Sequence, residues 1–399
     1  MTSQHGGPTA AHALSDAQVQ VSLRSPGELA DALPYLLGFH PDDSVVLVAL
    51  HGERGRFGGR MRVAIPAEPE AWAGIADQLA GCLVTASSAR GDRPDGALLF
   101  LCRDPGPGED GAVVVEQLRP FAQLLRTACG EREVPVYEAL CVSAGRWWSY
   151  VCRGADCCPP EGSALSPPGT SQMAAAAAFA GLRVRGSLTE IESRLVPPAA
   201  AEDGPEEALD AAYAGLLPRM LRPGGAEEVR EETLALAGRL VARLRAAGTG
   251  PAGRAEKSGV EAAAAADARD DALVGLAEAA AVVFGLQDRL TRDRAAEWME
   301  GEDAEPALRL WRALARRCVG PYAHHAAAPL TLAGWVAWSV GDEPTARVAL
   351  GRALDADPDY VFAQLLHRAC NEGLDPEPLR QCMREERRSR RSPGVAGSA

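Results

Sequence analysis

Apolar runs of strand length occur in this chain only before about residue 155, and from about residue 205 onward every apolar pattern is helical. Ser44 to Leu50 and Ala97 to Cys102 are apolar at nearly every position, as expected of central strands covered on both faces. Arg60 to Ile65 is a further strand. Val134 to Val142 and Arg146 to Val151 form a hairpin turned at Ser143, Ala144 and Gly145. Between these runs the spacing is helical: Leu29, Leu33, Leu36 and Leu37; Trp72, Ile75, Leu79 and Leu83; Val114, Leu118, Phe121, Leu125 and Cys129. Pro120 is expected to kink or restart the last of these. Strands alternating with helices predict an α/β domain with a mostly buried mixed sheet, followed by an all-α C-terminal region.

Local chemistry marks the boundaries. Ser25, Pro26 and Glu28 make a capping box with proline in the first turn, and Gly38 closes that helix. Residues 1–17 are small, polar and aperiodic, and are expected to be disordered. Val19 to Leu23 alternates as a short strand. Short helices are expected near Gln172 to Gly181 and Leu188 to Leu195, and the α/β domain is taken to span 18–196. A helical domain then covers 205–376, interrupted by a flexible Ala/Gly linker at 247–266, and residues 377–399 form a basic tail. Leu330 to Tyr360 has the spacing of a tetratricopeptide-like hairpin, with Gly334, Gly341, Ala346, Leu350, Ala353 and Pro358 at the positions where two helices cross closely and the unit closes.

The composition of the 399-residue chain, 47% apolar and 24% charged, is that of a globular protein. A net charge of −13 disfavours nucleic acid and anionic membrane as partners and leaves protein as the expected class. No apolar stretch approaches membrane-helix length, and no export signal is read at the start, so the expected setting is the cytoplasm with reduced thiols. Lys257 is the only lysine and falls in the linker-like tract Gly248 to Gly259, which argues against P-loop, Schiff-base and kinase-type sites. No Gly-x-Gly-x-x-Gly fingerprint after a strand, no nucleophile elbow and no zincin motif is expected, and no cofactor is expected.

Three constellations remain. Cys152, Cys157 and Cys158 place three thiols within seven residues. They suit packing in a tight turn better than zinc or iron–sulfur ligation, which lacks a fourth ligand, or a redox pair beside Arg153. Trp147 and Trp148 point to opposite faces of their strand, so one of them is a candidate for a pocket or interface, although core or domain-interface packing is the favoured reading. His40 with Asp42 or Asp43, in the loop leading to Ser44, is a candidate acid/base pair, although Asp and Pro are ordinary turn residues there. His324 and His325 cannot share one helix face and read as a solvated helix start. Arg380, Arg384, Arg387, Arg388, Arg390 and Arg391 read as a solubilising end.

Several segments together resemble a known family. These are Leu36 to Pro41 with Ser44, Arg146 to Tyr150 with Cys152, Cys157 to Pro159 with Gly162, and the unit from Gly341 to Tyr360. They are similar to domain of unknown function 4192 of high-GC Gram-positive bacteria, across nearly the whole ordered chain. The resemblance implies no reaction, cofactor or catalytic residue. The leading expectation is therefore a non-enzymatic interaction or regulatory protein acting through its helical region. The alternative is an enzyme or metal/redox protein whose site joins the loop Gly38 to Ser44 with the cysteine cluster.

Overall fold

The computed structural model describes residues 23, 25–52, 55–88, 93–152, 158–167, 169–179, 184, 186–198, 204–248 and 259–391. The chain divides into two compact units, Met1–Val184 and Arg185–Ala399. The boundary lies earlier than residue 196, because the short helix before that point packs with the second unit. The expected strand at Val19 to Leu23 falls almost wholly outside the described residues, as do residues 1–17, Lys257 and Cys157.

In the first unit, α1 (Pro26–Leu37) begins with the expected box: Ser25 accepts from the Glu28 amide and Glu28 accepts from the Ser25 amide. It leads to β1 (Ser44–His51) and β2 (Arg56–Ala64), then α2 (Trp72–Ser88), β3 (Gly96–Cys102), α3 (Gly111–Glu131), β4 (Val136–Ser143) and β5 (Arg146–Ser149). A two-residue β6 (Ser163–Ala164) and α4 (Gln172–Phe179) follow. β2 starts four residues before the expected Arg60, and β6 lies beyond the expected limit of strands. Its pairing follows from Arg146, whose guanidinium holds the carbonyls of Glu161 and Gly162 against β5. The helix α3 is continuous through Pro120, so the expected break is absent.

The six strands run β2-β1-β3-β4-β5-β6. Only β3 and β4 are parallel neighbours, joined by α3; the other pairings are antiparallel. As the apolar runs required, β1 and β3 are buried along nearly their whole length. Leu47, Leu99, Cys141 and Trp148 face α2 and α3, where Trp72 stacks on Phe121 at 5.2 Å. Residues of alternate phase, Trp147 among them, face α1. The hairpin turn between β4 and β5 needs left-handed backbone at Ala144 (φ 49) and Gly145 (φ 71), the geometry that matches strand twist.

The second unit is helical: α5 (Leu188–Ser193), α6 (Pro205–Met220), α7 (Gly225–Ala247), α8 (Gly259–Leu273), α9 (Leu276–Gly285), α10 (Arg289–Ala295), α11 (Ala304–Arg316), α12 (Ala327–Ser339), α13 (Glu343–Ala356), α14 (Val361–Asn371) and α15 (Glu377–Arg391). Two expectations are corrected here. Of the stretch read as linker, Ala247 and the part from Gly259 onward are helical, because alanine is the strongest helix former and Ala262 to Ala266 has no breaker, while residues 249–258 lie outside the described residues. The basic tail is helical to Arg391 and docked: Arg380 and Arg384 converge on Glu300, and Arg390 pairs with Glu297. Every residue of α12 is buried, so the α12–α13 hairpin forms the middle of the helical core. No helix among the described residues is long and apolar enough to cross a membrane.

Candidate functional site

The loop from Gly38 to Ser44 is fixed by its own turn chemistry. Gly38 (φ 84) caps α1, Phe39 is buried, and His40 is exposed. Asp43 adopts left-handed backbone (φ 37), its carbonyl accepts from the Ile65 amide at 2.8 Å and its carboxylate accepts from Arg103 Nε at 3.0 Å. Ser44 is wholly buried. Its hydroxyl donates to the Asp42 carbonyl at 2.5 Å and accepts from Arg62 Nη1 at 3.0 Å. A serine nucleophile needs a base to take its proton; here that proton is held by a backbone carbonyl. The loop residues are brought together by folding, but as a turn.

Ser44 lies opposite Cys102, which pairs with Val142, so this loop borders the carboxyl ends of the parallel strands β3 and β4. Ligands of open α/β sheets bind at such ends. Contrary to expectation, a glycine fingerprint stands there: Gly106, Gly108 and Gly111 have the Gly-x-Gly-x-x-Gly spacing between β3 and α3. Its surroundings are wrong for phosphate. Asp110 accepts from the Val113 amide at 3.1 Å and Glu109 from the Gly106 amide at 3.4 Å, so carboxylates already occupy the donors that would cradle an anion. Asp104 holds the Ala144 amide at 2.7 Å. Gly111 serves packing, since a Cβ there would stand 2.5 Å from Trp148 Cη2. Burial, with Cys141, Asp42 and Asp104 nearby, pushes the Cys102 thiol far up and leaves it unreactive.

Both tryptophans are packed. Trp148 Nε1 donates to the Pro160 carbonyl at 3.0 Å, and Gly162 lies against its ring. Trp147, on the other face, lies beneath Gly27 of α1. Cys152 sits past the far end of β5, its amide donating to Ser149 Oγ, which in turn donates to Glu138. The sheet therefore keeps Cys152 apart from the loop of His40, Asp42 and Ser44. Cys158 is half-buried beside the Pro159–Pro160 turn, and Cys157 lies outside the described residues. Among the described residues no group of three His, Cys, Asp or Glu side chains is placed to hold a metal ion.

The most concentrated polar chemistry is in the helical unit, where sequence reasoning placed no site. Arg309, Arg312 and Arg316 share one face of α11 by their spacing, and Arg309 and Arg316 meet a row of aspartates on α8. Arg309 grips Asp270 with Nε at 3.0 Å and Nη2 at 2.5 Å, both side chains buried. Arg194 grips Asp267 at 3.0 and 2.9 Å. Arg316 and Arg317 share Asp271 at 2.6 and 3.2 Å. Beside the end of α11 opens a cavity of about 750 Å³, lined by Arg316, Arg317 and Asp271, by Pro197, Pro198 and Pro205, and by Glu206, Glu207 and Asp210 of α6. The Tyr322 hydroxyl donates to Asp210 at 2.6 Å. The legible signal was arginine at i, i+3 and i+7 in a helix otherwise apolar after Glu305, matched by Asp267, Asp270 and Asp271 at i, i+3 and i+4.

No curated protein and no solved structure matches the chain. One family model does, over residues 26–377, which is most of the sequence. The loop of His40 and Ser44, the packed tryptophans and the α12–α13 hairpin all fall within that span, and the chain belongs to the family described as domain of unknown function (DUF4192).

Proposed function

We propose that the protein acts by binding rather than catalysis, and that its helical unit carries the partner site. One observation carries this reading. At the cavity beside α11, Glu206, Glu207 and Asp210 have no ion-pair partner among the described residues, while Arg316 and Arg317 are already matched by Asp271. Acidic residues in a first helical turn are common, but three carboxylates around one concavity give it a negative potential. The partner that suits it is a protein segment bearing arginine or lysine; nucleic acid would be repelled. The α12–α13 hairpin is tetratricopeptide-like in its small crossing residues, yet with α12 buried it supports the site instead of presenting one. The setting in this reading is the cytoplasm, where buried thiols such as Cys318 stay reduced. The competing reading, an enzyme or redox site shared by the His40 loop and Cys152, loses support because the sheet separates the two.

The test is titration of the full chain with a fluorescent oligo-arginine peptide. Glu207→Arg with Asp210→Arg should weaken binding at least about tenfold, the loss expected when charged contacts are reversed. Glu70→Arg with Glu131→Arg, exposed carboxylates of the α/β unit, makes the same change in net charge and should leave binding near the wild-type value. Equal losses in the two variants would mean that net charge alone attracts the peptide.

A further inference from the structure

The buried ion network of the helical unit does not balance. Arg309, Arg194 and the pair Arg316 and Arg317 each have an aspartate in direct contact. Arg312, in the middle of the same face of α11, has none. It is 7% exposed, its Nε is sealed from solvent without a hydrogen-bond partner, and among the described residues its guanidinium donates no hydrogen bond and meets no carboxylate within ion-pairing distance. Its strongest charged neighbour is Arg194; Asp267 and Asp342 follow without touching it, and Arg316 comes after them. Arg316 Nη1 donates to the Arg194 carbonyl at 2.7 Å, so these two flanking residues are themselves joined.

We propose that Arg312 is the receptor for a small oxyanion, a phosphate or carboxylate group, held in the helical unit beside Arg194 and Arg316. A buried cation without a counter-ion is costly, and natural interiors pair such charges. Deprotonation is no escape. Burial, then Arg194, lower the Arg312 pKa to about 9 against the opposing pull of Asp267 and Asp342, which leaves a cation at neutral pH. Water can satisfy N–H groups but not the surplus charge. A planar guanidinium with free donors matches an oxyanion through paired charge-assisted hydrogen bonds. Arg194 supplies the way in, since its side chain is 25% exposed while those of Arg309 and Arg316 are nearly sealed. A second orphan lies close in the chain to Asp342: Ser339 Oγ is buried without a partner and is available to donate. Arg316 also lines the acidic cavity at α6, whereas Arg312 and Arg194 do not.

The test is the melting temperature of the full chain as chloride is replaced by millimolar inorganic phosphate or, separately, acetate at constant ionic strength. Wild type should show a saturable rise with at least one of them. A response to phosphate alone assigns a phosphate group, and a response to both assigns any oxyanion. Arg312→Met, of similar length and uncharged, should abolish the rise and should melt no lower than wild type in chloride, because it removes an uncompensated charge. If that variant does not fold, Arg312→Lys serves: it should shift half-saturation to higher anion concentration. A flat wild-type response to both anions, or a variant that responds as wild type does, would overturn the proposal.

Discussion

Gly334 on α12 and Leu350 on α13 approach so closely that a Cβ on Gly334 would stand 2.6 Å from Leu350 Cγ and 3.3 Å from the Ala346 carbonyl oxygen. Ala346 and Ala353 are both wholly buried on the facing helix. Small residues here are a packing requirement, because larger ones would part the two helices. Gly334→Ala and Ala346→Leu should each cost about 1–3 kcal/mol through overpacking, read as a lower Tm or denaturation midpoint. An unchanged midpoint for both would mean that the crossing is looser than described.

Glu300 fastens the C-terminal helix. Arg384 and Arg380 hold its carboxyl down at about 2, against an ordinary 4.5. A depressed carboxylate stabilises the folded state fully above 4.5 and loses that contribution as pH falls toward 2. At neutral pH, Glu300→Gln should cost about 1 kcal/mol, the scale of a partly exposed ion pair. It should also speed tryptic cleavage at Arg384 and Arg387. Cleavage at the wild-type rate would show that α15 is held by other contacts.

His325 is a second proton-sensitive element, and it too loses stability as pH falls. Its ring packs edge-on to Phe284 and stacks on Tyr322, and burial, then the adjacent His324, lowers its pKa from 6.5 to about 4. The unfolded chain therefore takes up the proton first, and stability is expected to fall as pH drops from about 6.5 to about 4. His325→Phe should reduce the drop in Tm between pH 7 and pH 5. A drop as large as in wild type would assign the effect to other groups.

Thiol reactivity should sort by burial. Burial raises Cys129, Cys141 and Cys370 to about 11 and Cys318 to about 12, and raises Cys102 still further. Cys82 and Cys382 are exposed. A disulfide reagent on the native protein should consume those two fast and the five buried thiols only on unfolding. Cys152, Cys157 and Cys158 are expected to act as turn residues, so protein purified without chelator should carry no stoichiometric zinc or iron. One equivalent of metal, released by Cys157→Ser with Cys158→Ser, would contradict that.

Much of the α/β unit was readable because its signals are local. The capping box at Ser25, the runs after Ser44 and Ala97, and the turn at Gly145 each depend on residues a few positions apart. What escaped was long-range or compositional. Ala262 to Ala266 has no apolar period, so it looked like linker until Asp267, Asp270 and Asp271 were seen to meet arginines some 40 residues away. Arg384 reads as solvated until Glu300, 84 residues back, is placed beneath it. On α11, Leu308, Trp311 and Leu314 carry the helical period, whereas a buried arginine such as Arg312 breaks the amphipathic rule by which helices are read. The fingerprint at Gly106 to Gly111 lies hidden in a loop dense with proline and acid. Its chemistry is set by Glu109 and Asp110 more than by its glycines.

The claim that the helical unit carries the partner site is tested most directly by hydrogen–deuterium exchange of the full chain with and without the bound basic peptide. Binding at the α6 cavity predicts slowed exchange over residues 204–210 and 316–320, with the amides of 38–44 and 147–152 unchanged. Protection confined to the Gly38–Ser44 loop or to the segment from Trp147 to Cys152 would contradict the account and return the site to the α/β unit.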